Sequence, residues 1–260
     1  MDFMAYPCNN FITLDNKYHT RRFLYLALKM KKLVVLTGSG ISAESGIRTF
    51  REMGGLWEEY DVQEVASPHA WENDMDLVLR FYNERRKKLF EASPNAGHTG
   101  LAELEQYFDV EIITQNVDDL HERAGSSKVL HLHGELKKVR STLDPSLVHE
   151  LDGWELKRGD TCAKGSQLRP HIVWFGEAVP LIEDAVEITQ QADAFAVIGT
   201  SLLVYPAAGL VDYVPRGVPI YLVDPNAIPV PRHREVDFIQ EKASSGLPIL
   251  KDKLLKKFNH

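Results

Sequence analysis

The chain has 260 residues, 44% hydrophobic and 26% charged, with a net charge of −7. That is ordinary globular composition, with room for one large domain or a domain and a small module. No apolar run approaches the ~20 residues of a membrane helix, no basic stripe supports nucleic-acid binding, and two cysteines, Cys8 and Cys162, exclude a disulfide framework and an all-cysteine zinc site.

The default setting is therefore reducing and cytoplasmic. Residues 23–28 are apolar but short, and Lys29-Met30-Lys31-Lys32 after them does not fit a secretory cleavage site. Met30 reads as an alternative start. Residues 1–29 are then an appendage of little function, or alternatively a short docking helix around 20–29.

Leu33 to Leu36 are enough for a buried strand. Gly38, Gly40 and Ala43 follow directly and match G-x-G-x-x-G/A, a dinucleotide fingerprint in its required context. Glycines let the backbone approach a pyrophosphate, and helix N–H groups attract its charge. A Gly-rich turn with no ligand is the other reading. Arg48 to Trp57 read as a polar loop instead of the second strand of a dehydrogenase, so a loop covers any dinucleotide bound here.

Ser67-Pro68 is a helix start, and a helix is expected to about Phe90, with Arg80, Glu84, Arg86 and Lys87 set among its apolar residues. Tyr82 and Arg85 share a face of it. They are either a carboxylate-binding pair or a core tyrosine beside a solvated arginine. Residues 96–107 suit a helix, and Val110 to Thr114 a strand. Behind that strand crowd Gln115, Asn116, Val117, Asp118, Asp119 and His121, with hydrogen-bonding groups for a ribose or an amide, or simply a helix cap. Lys128 to Gly134 is a strand on which His131 and His133 face one side. A metal pair lacks further ligands at useful spacing. A general base at the strand end and a structural histidine both remain.

Residues 135–169 read as a loop-rich inserted module. Strand character returns over Arg169 to Glu177, and Pro180 to Ala192 suits a helix. Ala194 to Gly199 is a buried strand ending at Thr200-Ser201. Pro206 to Tyr213 suits a helix, Val218 to Val223 a strand ending at Asp224-Pro225-Asn226, and 247–258 an amphipathic helix. Strands near 33, 110, 129, 172, 195 and 220 alternating with helices make a doubly wound, Rossmann-like α/β parallel sheet with a small inserted module. Loops after 37, 114, 199 and 223 converge on its carboxyl edge.

The ordered set of motifs resembles the sirtuin family of NAD-dependent protein deacylases. It comprises Gly38 to Ile47 followed by Phe50-Arg51, Thr114 to His121, His133-Gly134-Glu135, Pro170 to Glu177, and Gly199-Thr200-Ser201. Tyr82-x-x-Arg85 is similar to the bacterial-type members, where the pair is associated with acidic acyl groups such as succinyl or malonyl. The resemblance implies a single catalytic domain over 30–260, with an NAD-binding core at 30–50, 95–134 and 170–260 and a small module at 51–94 and 135–169. It implies that NAD is consumed. The acyl oxygen of a modified lysine attacks the ribose as nicotinamide leaves, giving free lysine and O-acyl-ADP-ribose. His133 is then the general base, with Asn116 and Asp118 in the catalytic set.

The resemblance further places NAD against Gly38, Ser39, Gly40, Ile41, Ser42, Glu44, Ser45, Phe50, Arg51 and Trp57. It adds Gln115, Asn116, Val117 and Asp118, with Ile41, Phe50 and Val117 as the apolar wall. Gly199, Thr200, Ser201, Asp224, Pro225, Asn226 and Ala243 lie on the adenosine side. Substrate is implied at Tyr82 and Arg85 and, as an added strand, at Val173, Trp174, Phe175, Gly176, Leu203, Val204 and Tyr205. Partners are acylated-lysine proteins, without nucleic acid or membrane. Two departures stand out. Ser39 replaces the usual alanine. The family's zinc-binding cysteine pairs are reduced to Cys162, with Arg140-Ser141-Thr142 at the first pair, so no zinc is expected. ADP-ribosyl transfer or NAD hydrolysis on the same scaffold, and a non-catalytic NAD sensor, are the alternative activities.

Overall fold

The computed structural model describes residues 30–49, 60–226, 228 and 235–259. Its centre is β1 (Lys32–Thr37), whose Leu33 to Leu36 are fully buried. Side chains alternate across a strand, so a centre strand covered on both faces must be apolar throughout. Leu33 and Val35 pack on one side with Ile112, Ala196, Tyr221 and Leu250. Val34 and Leu36 pack on the other with Ile113, Phe195, Leu210 and Leu222.

The strands around it are β2 (Asp109–Thr114), β3 (Val129–His131), β7 (Ala194–Ile198), β8 (Ile220–Val223) and β9 (Val236–Ile239). They form one parallel sheet in the order β3-β2-β1-β7-β8-β9. The chain leaves β1 toward one edge and returns beside it at β7. The connections after these two strands run to opposite edges of the sheet, which makes this the switch point of a doubly wound sheet, where a crevice opens at the carboxyl ends. The doubly wound α/β reading holds. One strand was misplaced by sequence and one was missed. Arg169 to Glu177 supplies no parallel strand, and the sixth position belongs to β9, a short, half-exposed edge strand with little apolar signal.

The stretch near 172 is β6 (Leu168–Ile172). It pairs antiparallel with β4 (Gly134–Ser141), which pairs antiparallel with β5 (Val148–Glu150). This small sheet grows directly out of the site loop. Gly134 turns the chain with φ +83, and a Cβ there would run into the His171 carbonyl.

The helix expected from Ser67 is two helices. In α3 (Pro68–Asn73) the Ser67 hydroxyl accepts from Ala70 N at 3.0 Å. Asp74 then breaks the helix and caps α4 (Met75–Glu91), accepting from Leu77 N at 2.9 Å. Before them, among the described residues, lie the single-turn helices α1 (Gly40–Ala43) and α2 (Val62–Val65). Helix α5 (Ala96–Leu104) is capped by Asn95, α6 (Leu120–Arg123) is a single turn, and α7 (Ile182–Gln190) follows the small sheet. Residues 207–213 form a 3₁₀ helix, Ala207–Tyr213, and the last helix, α8 (Ala243–Phe258), starts before 247. No helix among the described residues is long and apolar enough to cross a membrane.

Arg86, one of the charged residues set among the apolar ones of α4, is fully buried. Its Nε donates to Leu136 O at 2.6 Å, and its Nη1 to Asn83 Oδ1 at 2.8 Å and Trp154 O at 2.7 Å. Helix α4 is thereby fastened to the small sheet and to the loop before residue 156.

Candidate active site

A cleft of ≈ 510 Å³ opens between the loops after β1, β2, β7 and β8. The two Gly-rich loops touch. Gly40 N donates to Gly199 O at 2.8 Å and Gly38 N to Ile198 O at 3.0 Å. A Cβ on Gly40 would stand 2.7 Å from Gly199 Cα, and one on Gly38 2.6 Å from Thr200 Cβ. These glycines are thus already required by loop-on-loop contact. Ser39 between them has φ −61 and ψ −22, ordinary helical values that any residue adopts.

His133 lies past the end of β3. Its Nδ1 is 3.1 Å from Gln115 O. A carbonyl can only accept, so Nδ1 carries the proton of the neutral ring and Nε2 is a bare acceptor. Burial pushes His133 below its ordinary value, and the Gln115 bond only partly opposes this. Near neutral pH it is an uncharged base on the cleft wall. His131 does not share that cleft. It is buried, with Nδ1 3.0 Å from Asn116 O and Nε2 2.7 Å from Glu122 Oε1 on α6.

A second cavity of ≈ 320 Å³ adjoins the first across Ser39, Arg85, Asn116 and Val117. Buried Ser42 is the hub of its floor. Its Oγ donates to Asp118 Oδ2 at 3.0 Å and accepts from Asn116 Nδ2 at 3.1 Å. His98 Nδ1 accepts from Asn95 N, which leaves its Nε2–H facing Ser42 Oγ at 3.4 Å. Burial pushes His98 down to about 4 and raises Asp118, against the Leu120 N–H and the Ser42 hydroxyl. His98, like Glu122, carried no sequence signal. Each matters through a partner remote in the chain.

Tyr82 is buried on the first cleft's wall beside Arg85. Trp174 Nε1 donates to the Tyr82 phenol at 3.0 Å, so the phenol's own proton is left to donate. Burial pushes Tyr82 up to about 12 and pulls Arg85 down. The Arg85 guanidinium stands 5.4 Å from the Phe81 ring centre and 5.9 Å from that of Tyr82. Trp174 is clamped in turn. Arg169 lies 3.3 Å over its ring, and its N–H bonds Glu177 Oε2 at 2.8 Å, the carboxylate that also holds Arg169 and Arg140.

The first cleft also gathers Gly199, Thr200, Ser201, Asp224 and Asn226 at one end and Val173, Phe175, Gly176, Leu203, Val204 and Tyr205 at another. Ser42 and Asp118 line the second cavity. Five expected residues are not brought to either wall. Ile41, on a single-turn helix, and Ala243, at the start of α8, both turn their apolar side chains into the core under the sheet. Glu44 accepts from Ser244 N, Ser45 from Asn95 Nδ2, and Pro225 is exposed beside the cleft. Phe50, Arg51 and Trp57, with most of the covering loop and residues 1–29, lie outside the described residues.

The segments at 140–142 and 162–165 do meet in space. Ser141 Oγ and Ser166 Oγ are 2.6 Å apart, and Cys162 Sγ is 3.1 Å from Ser166 Oγ. The Ser166 hydroxyl, then that of Ser141, pulls the thiol down to about 6. Among the described residues, no group of three or more His, Cys, Asp or Glu is placed to hold a metal ion.

The sequence pattern of the Sir2 family matches residues 38–206. The chain belongs to the Sir2 family. This Sir2 chain is 55% identical over 231 residues to an NAD-dependent protein deacylase of Bacteroides thetaiotaomicron, covering 87% of the chain and 99% of that relative. A protein of the same description from Helicobacter pylori is 54% identical over 228 residues, at 87% and 98% coverage. Among solved structures, a Sir2 homolog–NAD complex superposes with a TM-score of 0.79 at 40% identity, covering 91% of this chain and 94% of that one. A mutant Sir2 homologue with ADP-ribose gives 0.81 at 40% identity, covering 92% and 97%.

Proposed function

We propose that this Sir2-family chain removes acyl groups from protein lysine at the expense of NAD, and that its acyl pocket favours acidic groups such as succinyl or malonyl over acetyl. The observation that carries the reading is the single cleft that His133 Nε2 shares with the Tyr82–Arg85 pair. NAD supplies the electrophilic ribose carbon and is consumed, leaving nicotinamide and O-acyl-ADP-ribose.

The residues act as follows in this reading. The loops at 38–40 and 199–201, with Asp224 and Asn226, hold the ADP-ribose part. Gln115, Asn116, Val117 and Asp118 hold the nicotinamide and its ribose across the two cavities. His133, neutral and with its tautomer fixed, takes the proton of a ribose hydroxyl. Val173 to Gly176 and Leu203 to Tyr205 flank the lysine's main chain. An acyl carboxylate meets the guanidinium of Arg85 and the phenol proton of Tyr82, both in a water-poor wall where charge-assisted bonds are strong. The NAD-holding core is 30–50, 95–134 and 170–260, the module at 51–94 and 135–169 supplies the acyl wall, and the setting is cytoplasmic.

A panel of acetyl-, malonyl- and succinyl-lysine peptides with NAD, read by mass, tests this. Loss of the acyl group with release of nicotinamide is expected. Tyr82→Phe with Arg85→Met lowers succinyl-lysine turnover by about 10–100-fold relative to acetyl-lysine, the loss of two charge-assisted bonds at about 1.5–3 kcal/mol each being partly shared by solvent. Equal losses on both substrates would reject the acidic-acyl reading. A peptide that gains ADP-ribose would reject deacylation.

A further inference from the structure

His131 ends β3 and His133 follows it in the turn, and both reach the loop after β2. His133 and His131 each turn Nδ1 to a main-chain carbonyl of the loop after β2, to Gln115 O and Asn116 O respectively. Both carbonyls only accept, so both Nδ1 atoms carry protons. The far nitrogens differ. That of His133 serves the cleft, whereas that of His131 meets the Glu122 carboxylate, a second group that only accepts. Only an imidazolium, with a proton on each nitrogen, can donate to both acceptor-only partners at once.

We propose that His131, kept charged by Glu122, is a positioning residue that fixes the main chain of Asn116, and that alkaline pH releases Asn116 by removing one of the two ring protons. The inference rests on the deacylase reading, in which Asn116 faces the nicotinamide ribose. Asn116 is held at N by Thr114 Oγ1 (3.0 Å), at O by His131, and at Nδ2 by Gly38 O and Ser42 Oγ (3.1 Å each). Its Oδ1 alone has no partner among the described residues. The side chain is thus fixed at Nδ2, and His131 is what holds the main-chain carbonyl.

When the ring has one proton left, Nδ1 and Nε2 compete for it. The carboxylate is the stronger acceptor, so the carbonyl of Asn116 loses its donor. Burial disfavours the charged ring, but the Glu122 bond and charge override it and hold His131 above the ordinary 6.5. The charged and titratable groups around it are Glu122 and His121 on α6, Asp118 in the same loop, and Glu135 on β4, which is itself paired with Lys138 at 2.7 Å. The sign follows. The pair's stabilisation is complete below 6.5 and is lost as pH rises through the raised folded value.

Glu122→Gln separates this from a structural role. A glutamine can offer its amide N–H to Nε2, so the neutral ring then keeps its single proton on Nδ1 and the Asn116 carbonyl stays held without any charge. The test measures kcat/KM for NAD with an acetyl-lysine peptide from acid to alkaline pH, together with imidazole nitrogen NMR of the free chain. The wild type should show an alkaline loss that Glu122→Gln removes, with the neutral-pH rate kept. His131→Phe should lower kcat/KM by on the order of 10²-fold, and His131→Asn, which keeps a donor near the Nδ1 position, should recover most of that loss. NMR should find both His131 nitrogens protonated at neutral pH in the wild type. An alkaline loss unchanged in Glu122→Gln, or a singly protonated His131 at neutral pH, would overturn the proposal, and neither result depends on His131→Phe folding. If no acyl-lysine peptide is turned over, the deacylase reading fails. The NMR result and NAD affinity against pH then still decide the state of His131.

Discussion

Catalytic competence at the residue scale comes down to where protons are placed. His133 has its tautomer set by a carbonyl and its charge set by burial. His133→Ala should lower turnover by about 10²–10⁴-fold, the usual weight of general acid–base catalysis, while NAD affinity by calorimetry stays within a few-fold. Because burial lowers this histidine, the wild type should keep its base below the ordinary 6.5 and lose activity only as pH falls through the lowered value. An acid limb centred at the ordinary imidazole value would show that His133 is not the buried group described here. The sequence pointed to His133 through its place at a strand end. It could not give the tautomer, because Gln115 lies on another strand's loop.

Contacts between elements decide what single residues cannot. The loops after β1 and β7 fit because Gly38 and Gly40 carry no Cβ where they meet Gly199 and Thr200. The link between α4 and the small sheet depends on Arg86, whose spacing on the helix gave no hint of burial because Asn83, Leu136 and Trp154 approach from three separate segments. Arg86→Leu keeps an apolar side chain there but leaves the buried carbonyl of Leu136 and the part-buried carbonyl of Trp154 without their donor. The expected cost is about 3 kcal/mol, from charged hydrogen bonds worth about 1.5–3 kcal/mol each, measured as a shift in the urea midpoint at unchanged slope. A shift within experimental scatter would mean that those carbonyls find water in the variant. Tyr82 sits one turn earlier on the same helix and Arg85 directly precedes Arg86, so acyl selectivity should weaken alongside stability.

For the whole molecule, the doubly wound sheet provides the crevice and the small sheet closes one side of it. The small sheet holds its two turns together through Ser141, Ser166 and Cys162. On that basis, metal analysis of the purified chain should find well under one zinc per chain, and a strong chelator should leave the melting temperature unchanged. One tightly bound zinc per chain, lost together with thermal stability on chelation, would contradict this. ADP-ribose, by contrast, should raise the melting temperature with concentration, as any ligand of the native state does.

The list of site residues rested on the family resemblance; the sequence by itself determined the doubly wound parallel sheet, the glycine turn after β1 and the polar loops behind the strands. Those signals are local: an apolar run long enough for a covered strand, glycines at fixed spacing, and polar residues directly after a strand. Tertiary structure alone decided which strand occupied the sixth place, since β9 is too short and too exposed to announce itself. It alone showed that the glycines at 38 and 40 meet another loop, and that Ile41 and Ala243 turn into the core. It also set apart His131 and His133, identical in pattern, holding the first above and the second below the ordinary imidazole value. A proton goes to whichever acceptor lies within reach, and Glu122 reaches only one of the two rings.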